Sequence, residues 1–387
     1  MLVGIANQII GSKLYTGGDI LALEVLKRNK LPNTVVLLPF SIKKYINDQY
    51  PSIKPIFTDK KKKYTAFRMS NFDGISIVFN YIIRTLNSII ILERNIKKID
   101  TLYLTGDFIC NTLPAAYLKF RKRDVKIVLN FYHRNPKPSK RKDNPYIRSA
   151  VSRLLQTMSL LVMRSRISKV FVLSEIGKRE LQKMRYISNK IIITGGGADD
   201  RYLKMMDINP SRMNLIKQQS KDILMIGRIS RTKGIFDVPE ILSMLEKTKS
   251  WKVNIVGFGE SKDLENLVRM LEKYKIKDSV NMLGHVSEQQ KWELLVSSKI
   301  FILTSHEEGY SIVTHEALMS NCRVVAYKLD SLYALFNDYD INFVEKFNKI
   351  SFSNKIQELL DAPYEFNQSA MIAKSWDDLA SNHFSNI

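Results

Sequence analysis

Short apolar runs recur along this chain, each followed by a segment whose apolar positions return every three to four residues. The pattern predicts strands at 1–6, 34–38, 101–105, 126–130, 169–173 and 190–194. After a break it resumes at 223–226, 253–256, 280–283, 300–304 and 323–326. Runs that are apolar at consecutive positions, separated by helix-length segments, suit parallel strands covered on both faces. The expected fold class is therefore α/β, with two open parallel sheets. Residues 202–221 include Asn209-Pro210-Ser211 and Gln218-Gln219-Ser220-Lys221 and lack a strand pattern, so the break falls there. The expected division is a first domain over 1–203, a linker over 204–221, a second domain over 222–370, and a C-terminal helix over 371–387 that packs back on the first domain.

The longest apolar stretch, residues 74–92, is interrupted only by Arg84. Ser76, Asn80, Arg84, Asn87 and Ser88 recur at helical spacing, and Ile75, Val78, Phe79, Ile82, Leu86 and Ile90 fill the opposite stripe. That is the pattern of an amphipathic core helix, because a spanning helix has no reason to keep a polar stripe. The apolar run at 1–6 meets Asn7 and Gln8 too soon for a secretory signal and reads as a strand. A helix expected over 147–167 has apolar residues at 147, 151, 154, 155, 158, 161 and 162 and arginines at 148, 153, 164 and 166. It suits either a core position with a basic edge or a place on a bilayer.

Composition adds two constraints. The two cysteines, Cys110 and Cys322, supply neither a disulfide framework nor a zinc site, which favours a reducing compartment. Among 387 residues the formal net charge is +22, and all of the excess lies early: residues 1–200 hold 36 Lys and Arg against 14 Asp and Glu, whereas the remainder holds 24 of each. Such asymmetry suits a first domain that faces a polyanion; high solubility is the simpler alternative.

In open parallel sheets, ligands sit beyond the carboxyl ends of the strands, where loops meet helix N-termini. The first such loop carries Gly17-Gly18 but no GxGxxG. The strand ending at 226 runs into Gly227-Arg228-Ile229-Ser230-Arg231-Thr232-Lys233-Gly234, whose cations could neutralise a diphosphate. The strand at 300–304 runs into Ser305-His306-Glu307-Glu308-Gly309-Tyr310-Ser311, followed by a helical stretch containing Glu316. A carboxylate followed by the N–H groups of a helix start can grip sugar hydroxyls and phosphate oxygens together. Asp338-Tyr339-Asp340 has the form of a metal-binding D-x-D but falls late in the chain, where an exposed loop is expected.

Together these residues resemble the retaining glycosyltransferases of family four, which have the GT-B architecture of two Rossmann-like domains with parallel sheets facing across a cleft. Glu308 and Glu316 reproduce the E-x7-E spacing, and Gly227-Arg228 with Lys233-Gly234 resembles the family's Arg-Lys loop. Gly17-Gly18, His133, Ser174-Glu175 and Gly195-Gly196-Gly197 follow in the family's order. Two turns depart from it: Asn321-Cys322-Arg323 stands where Gly-x-Pro is usual, and the glycine triplet lacks its Pro-Asn lead-in. Asn321 in a left-handed conformation would preserve the first turn.

The resemblance implies roles. Arg228 and Lys233 would hold the donor pyrophosphate. Glu308 would bind the donor sugar, with backbone N–H groups of Gly309, Tyr310 and Ser311 beside it, and Glu316 would contact the ribose. His133 would stand near the reacting sugar, with Gly17 and Gly18 on the acceptor side. The leaving phosphate would take the acceptor proton, so no general base, metal or cofactor is expected. The implied substrates are a nucleotide sugar and a glycan or lipid-linked acceptor of cell-surface polysaccharide or glycoconjugate synthesis. Basic residues at 60–63, 119–123 and 134–142 would dock the first domain on an anionic membrane, in the cytoplasm at the inner face of the cell membrane. No nucleic-acid partner is expected, since base-stacking aromatic modules are absent from the pattern. Three alternatives remain. A nucleotide-sugar epimerase of the same fold would release free nucleotide and epimer without an acceptor, a nucleic-acid-binding protein would give a gel shift that persists at moderate salt, and a polysaccharide- or membrane-binding protein without catalysis would tolerate loss of Glu308.

Overall fold

The computed structural model describes residues 1–9, 17–29, 33–59, 73–138, 146–246, 250–366 and 373–387. The basic clusters at 60–63 and 140–142 lie outside them. The chain forms two compact units, Met1–Gly196 with Trp376–Ile387, and Gly197–Ser375.

The first unit runs β1 (Leu2–Ile5), α1 (Gly17–Lys27), β2 (Val35–Leu38), α2 (Lys43–Gln49), β3 (Pro55–Phe57), α3 (Asp73–Arg94), β4 (Thr101–Leu104), α4 (Ile109–Arg121), β5 (Lys126–Phe131), α5 (Tyr146–Met163), β6 (Lys169–Val172), α6 (Glu175–Lys183) and β7 (Ile191–Ile193). Its seven strands pair in parallel in the order β3-β2-β1-β4-β5-β6-β7. The second unit runs α7 (Arg201–Met205), α8 (Pro210–Gln219), β8 (Asp222–Ile226), α9 (Val238–Ser243), β9 (Lys252–Val256), α10 (Ser261–Lys273), β10 (Val280–Gly284), α11 (Glu288–Ser297), β11 (Ile300–Leu303), α12 (Ile312–Met319), β12 (Arg323–Tyr327), α13 (Asp330–Phe336), β13 (Ile341–Val344) and α14 (Lys349–Asp361). Its parallel order is β10-β9-β8-β11-β12-β13. The last helix, α15 (Trp376–Ser385), belongs to the first unit: Asp377 pairs with Arg28 at 2.7 Å, and Tyr103 Oη lies 2.9 Å from His383 Nδ1. Burial pushes the His383 imidazole down to about 3, so it is neutral.

Central strands are buried on both faces, β4 and β11 at every residue, as their unbroken apolar runs require. Two strands carry no such run. Pro55-Ile56-Phe57 and Ile341-Asn342-Phe343-Val344 are partly exposed edge strands, and Pro55 is tolerated because an edge position leaves its missing N–H unused.

Two segments differ from the sequence pattern in an instructive way. Within 204–221, α8 is capped by Asn209, whose side chain accepts from Arg212 N at 2.8 Å, with Pro210 at the first helical position. It buries Lys217, whose Nζ donates at 2.6 Å to the carbonyls of Leu295 and Ser298. Helix α3 is helical as expected but inverted. Arg84 and Ser88 are buried, whereas Val78, Phe79, Ile82, Leu86 and Ile90 are exposed. The polar stripe turns inward because partners await it there: Arg84 pairs with Asp59 at 2.7 Å and donates to the carbonyls of Asn7 and Ile9, and Asn87 donates to Thr58 O. Among the described residues no helix is long and apolar enough to cross a membrane.

Candidate active site

In the second sheet the strand order reverses between β8 and β11, and the loops leaving those neighbouring strands form the switch-point crevice. The loop after β8 is one turn of 3₁₀ helix, Arg231–Lys233, closed by Gly234 at φ +64°. A side chain at Gly234 would strike the Thr304 carbonyl, so glycine is required for both φ and space. The Thr304 hydroxyl donates to Gly234 O at 3.0 Å, and His306 N donates to Thr232 O at 2.9 Å. This stitching brings Lys233 Nζ onto Glu308 Oε1, which also accepts from Ser305 Oγ at 2.9 Å. The Glu308 side chain is 7% exposed. Arg228 is exposed and pairs with no carboxylate among the described residues, so its charge remains available to a ligand. Gly257, at φ +146°, packs against the Gly227 carbonyl so closely that a Cβ would collide with it.

Ser311 caps α12, accepting from Thr314 N at 3.3 Å, and starts the helix where the sequence placed it. Tyr310 donates its hydroxyl to Gly197 O at 2.7 Å and stacks on Phe336, so its side chain is structural. Glu316 is 3% exposed. Its Oε1 accepts from Lys291 Nζ at 2.6 Å, and its Oε2 has no partner. Burial raises the Glu316 carboxyl, although Lys291 opposes the shift. Burial would lower the Lys291 ammonium, but Glu316 and Glu288 together hold it raised. That oxygen is a buried acceptor without a donor. Lys291→Met should remove the counter-charge and destabilise the second unit by about 3 kcal/mol in denaturant titration, the cost of stranding one member of a buried ion pair. A wild-type midpoint in that variant would show that the pair is not holding Glu316.

Lys291 was not legible in the sequence, standing 25 residues from its partner in no motif. Neither was the group behind the Glu308 loop: His306 Nε2 lies 2.8 Å from Asp237 Oδ2, and Lys349 Nζ lies 3.4 Å from Asp237 Oδ1. Burial acts to raise Asp237, but His306 and Lys349 leave it below the usual carboxylate range. The Asn321 turn has φ +55°, so the left-handed conformation expected of it is adopted. Asp338 and Asp340 lie in an exposed turn before β13. Among the described residues no three His, Cys, Asp or Glu cluster as metal ligands do.

In the first unit, Gly17 and Gly18 form the first turn of α1 rather than a free loop. A Cβ at Gly18 would lie 2.7 Å from the Tyr132 ring, so the glycine is what lets α1 start beside the residue preceding His133. His133 is exposed just past β5, and its carbonyl accepts from Gln156 Nε2 at 2.9 Å. The same Gln156 nitrogen donates to Asp107 Oδ2 at 2.8 Å, and its Oε1 accepts from Asn135 N at 2.8 Å.

Asp107 was another residue without a sequence signal. Burial pushes its carboxyl up to about 6, only partly offset by Gln156. A carboxyl raised in the folded state stabilises while protonated: its contribution is complete below the ordinary Asp range and is lost as pH rises through about 6. Asp107→Asn should therefore exceed wild type by about 2 to 3 kcal/mol at pH 7.5 and by little at pH 4. Parallel stability curves for the two proteins across that range would contradict the assignment.

Residues 208–375 match the glycosyl transferases group 1 family. That match takes in the switch-point crevice with Arg228, Lys233, Glu308 and Glu316. An uncharacterised glycosyltransferase of Haemophilus influenzae is 26% identical over 181 residues, 46% of each chain. Poly(glycerol-phosphate) alpha-glucosyltransferase of Bacillus subtilis is 30% identical over 128 residues, 32% of this chain and 18% of that one. The chain thus spans less than half the length of these relatives. Among solved structures, Anabaena Alr3699/HepE in complex with UDP-glucose superposes with a TM-score of 0.66 at 13% identity, covering 99% of this chain and 95% of that one. The likeness shows the fold, two Rossmann-like parallel-sheet domains of the GT-B architecture.

Proposed function

We propose that the protein is a retaining glycosyltransferase that moves a sugar from a nucleotide sugar to a glycan or lipid-linked acceptor in cell-surface polysaccharide or glycoconjugate synthesis. The observation that carries this reading is the switch-point crevice of the second unit. It gathers one uncommitted cation, Arg228, a Lys233–Glu308 pair, and Glu316 with a buried oxygen awaiting a donor. The family match over the same residues supports it, as does the UDP-glucose held by a protein of the same fold.

Each element then has a task. The donor diphosphate draws Lys233 away from Glu308 and meets Arg228, so the leaving charge is neutralised by side chains and the reaction needs no divalent cation. Glu308, released from Lys233, turns to the donor sugar and supports positive character at its anomeric carbon. Glu316 accepts from a ribose hydroxyl. The bond from the anomeric carbon to the phosphate oxygen breaks, and the bond to the acceptor oxygen forms on the same face. The acceptor proton passes to the departing phosphate. His133, with Gly17 and Gly18, belongs to the acceptor side. The two buried, unpaired cysteines accord with work in the cytoplasm.

The poly(glycerol-phosphate) relative supports an α-linked product on a polyanionic acceptor, which the net charge of the first unit would also suit. The test is the anomeric configuration of the product, read by NMR. An α-linked nucleotide sugar should give an α-linked product, and a β-linked product would overturn retention. Release of an epimerised nucleotide sugar without any acceptor would favour the epimerase instead.

A further inference from the structure

The crossovers from β3 to β4, β4 to β5 and β5 to β6 all advance in one direction along the first sheet, so α3, α4 and α5 form one layer on one face. Within that layer α3 packs on α4 and α4 on α5. Their inner side chains, among them Leu92, Leu118 and Leu160, join the core of the unit. Their outer side chains are also apolar: Ile82 and Leu86 on α3, Leu113 and Phe120 on α4, and Leu154 and Met158 on α5 are all exposed. On α3 and α5 these belong to stripes repeating every three to four residues, so the exposure is a continuous feature of each helix rather than scattered leucines. Exposed basic residues Arg94, Lys98, Arg123 and Arg164 follow or end the same three helices and give the layer a cationic border.

We infer that the outer face of α3, α4 and α5 inserts into an anionic lipid bilayer, with the cationic border against the headgroups. A second copy of the chain is the poorer occupant. Apposing two such faces would bring together two units that each carry an excess of 22 positive charges, whereas an anionic bilayer offers an apolar interior and negative charge together. The inversion of α3, set by the internal partners of Arg84, suits the same placement, since an outward apolar stripe is unfavourable in water and favourable in lipid. On the proposed function, and only on it, the docked face would bring His133 to acceptors held in the membrane.

The experiment is co-sedimentation of the full chain with phosphatidylcholine vesicles, with and without phosphatidylglycerol. Wild type should bind the phosphatidylglycerol vesicles and retain part of that binding at about 1 M salt, where the Debye length is about 3 Å and only inserted side chains still hold. Two double variants, Ile82→Ser with Leu86→Ser and Leu154→Ser with Met158→Ser, change exposed positions and should fold normally. Each should weaken vesicle binding roughly tenfold or more. UDP binding in the same preparations should be unchanged, so failure of the donor site and failure of the membrane face are read separately. Wild type that ignores phosphatidylglycerol vesicles, or double variants that bind as wild type does, would overturn the inference. So would a dimer in sedimentation velocity that the same substitutions abolish, because the face would then belong to a second copy.

Discussion

Replacing Glu308 by Gln is expected to lower kcat by about two to three orders of magnitude while leaving nucleotide diphosphate affinity unchanged or tighter. The loss is that expected when one preorganised charge facing a developing charge is removed. The affinity prediction follows from the contact between Lys233 and Glu308. The diphosphate must compete with Glu308 for Lys233, and a neutral glutamine releases the ammonium. Turnover measured with the true acceptor, alongside titration of the nucleotide, separates the two effects. Equal turnover in the variant and the wild type would remove Glu308 from the mechanism. A large fall in nucleotide affinity would make it a binding residue instead.

The complementary result concerns the cations. Arg228→Ala or Lys233→Ala should weaken nucleoside diphosphate binding by roughly ten- to a hundredfold each, because a hydrogen bond to a charged group contributes about 1.5 to 3 kcal/mol. Lys233→Ala also leaves Glu308 without its cationic partner in a nearly buried position, so it should lose stability as well, whereas the exposed Arg228 should not. On the proposed function these two side chains do the neutralising, so chelator should leave turnover intact in the wild type. An absolute requirement for Mg²⁺ or Mn²⁺ in the chemical step would contradict that assignment.

The parts of this molecule that were legible in its sequence are those in which one physical demand fixes many neighbouring residues. Central strands must be apolar on both faces, so β4, β5, β8 and β11 announced themselves, and the loops leaving β8 and β11 pointed to Arg228, Lys233 and Glu308 as candidates, with Glu316 in the helix that follows. The edge strands β3 and β13, interrupted by Pro55 and Asn342, left no run to read, whereas β7 and β10 at the opposite edges did. Helical periodicity showed that Val78, Ile82 and Leu86 share a stripe of α3. It could not show which stripe faces the sheet, because that choice is made by Asp59, Asn7 and Ile9, residues distant in sequence that satisfy Arg84. Lys291 and Asp107 were illegible for the same reason. Each is a single charge whose significance comes from a partner the fold supplies, Glu316 in one case and Gln156 in the other.

The central claim is that the crevice at the β8–β11 switch point is a metal-independent nucleotide-sugar site. Calorimetric titration of UDP, GDP, ADP and UDP-glucose into the wild-type chain, with EDTA present throughout, tests it most directly. The predicted result is saturable binding of at least one of these nucleotides at one site per chain, weakened at least tenfold in Lys233→Ala. Failure of all four to bind, binding that appears only when a divalent cation is restored, or equal affinity in the variant would contradict it.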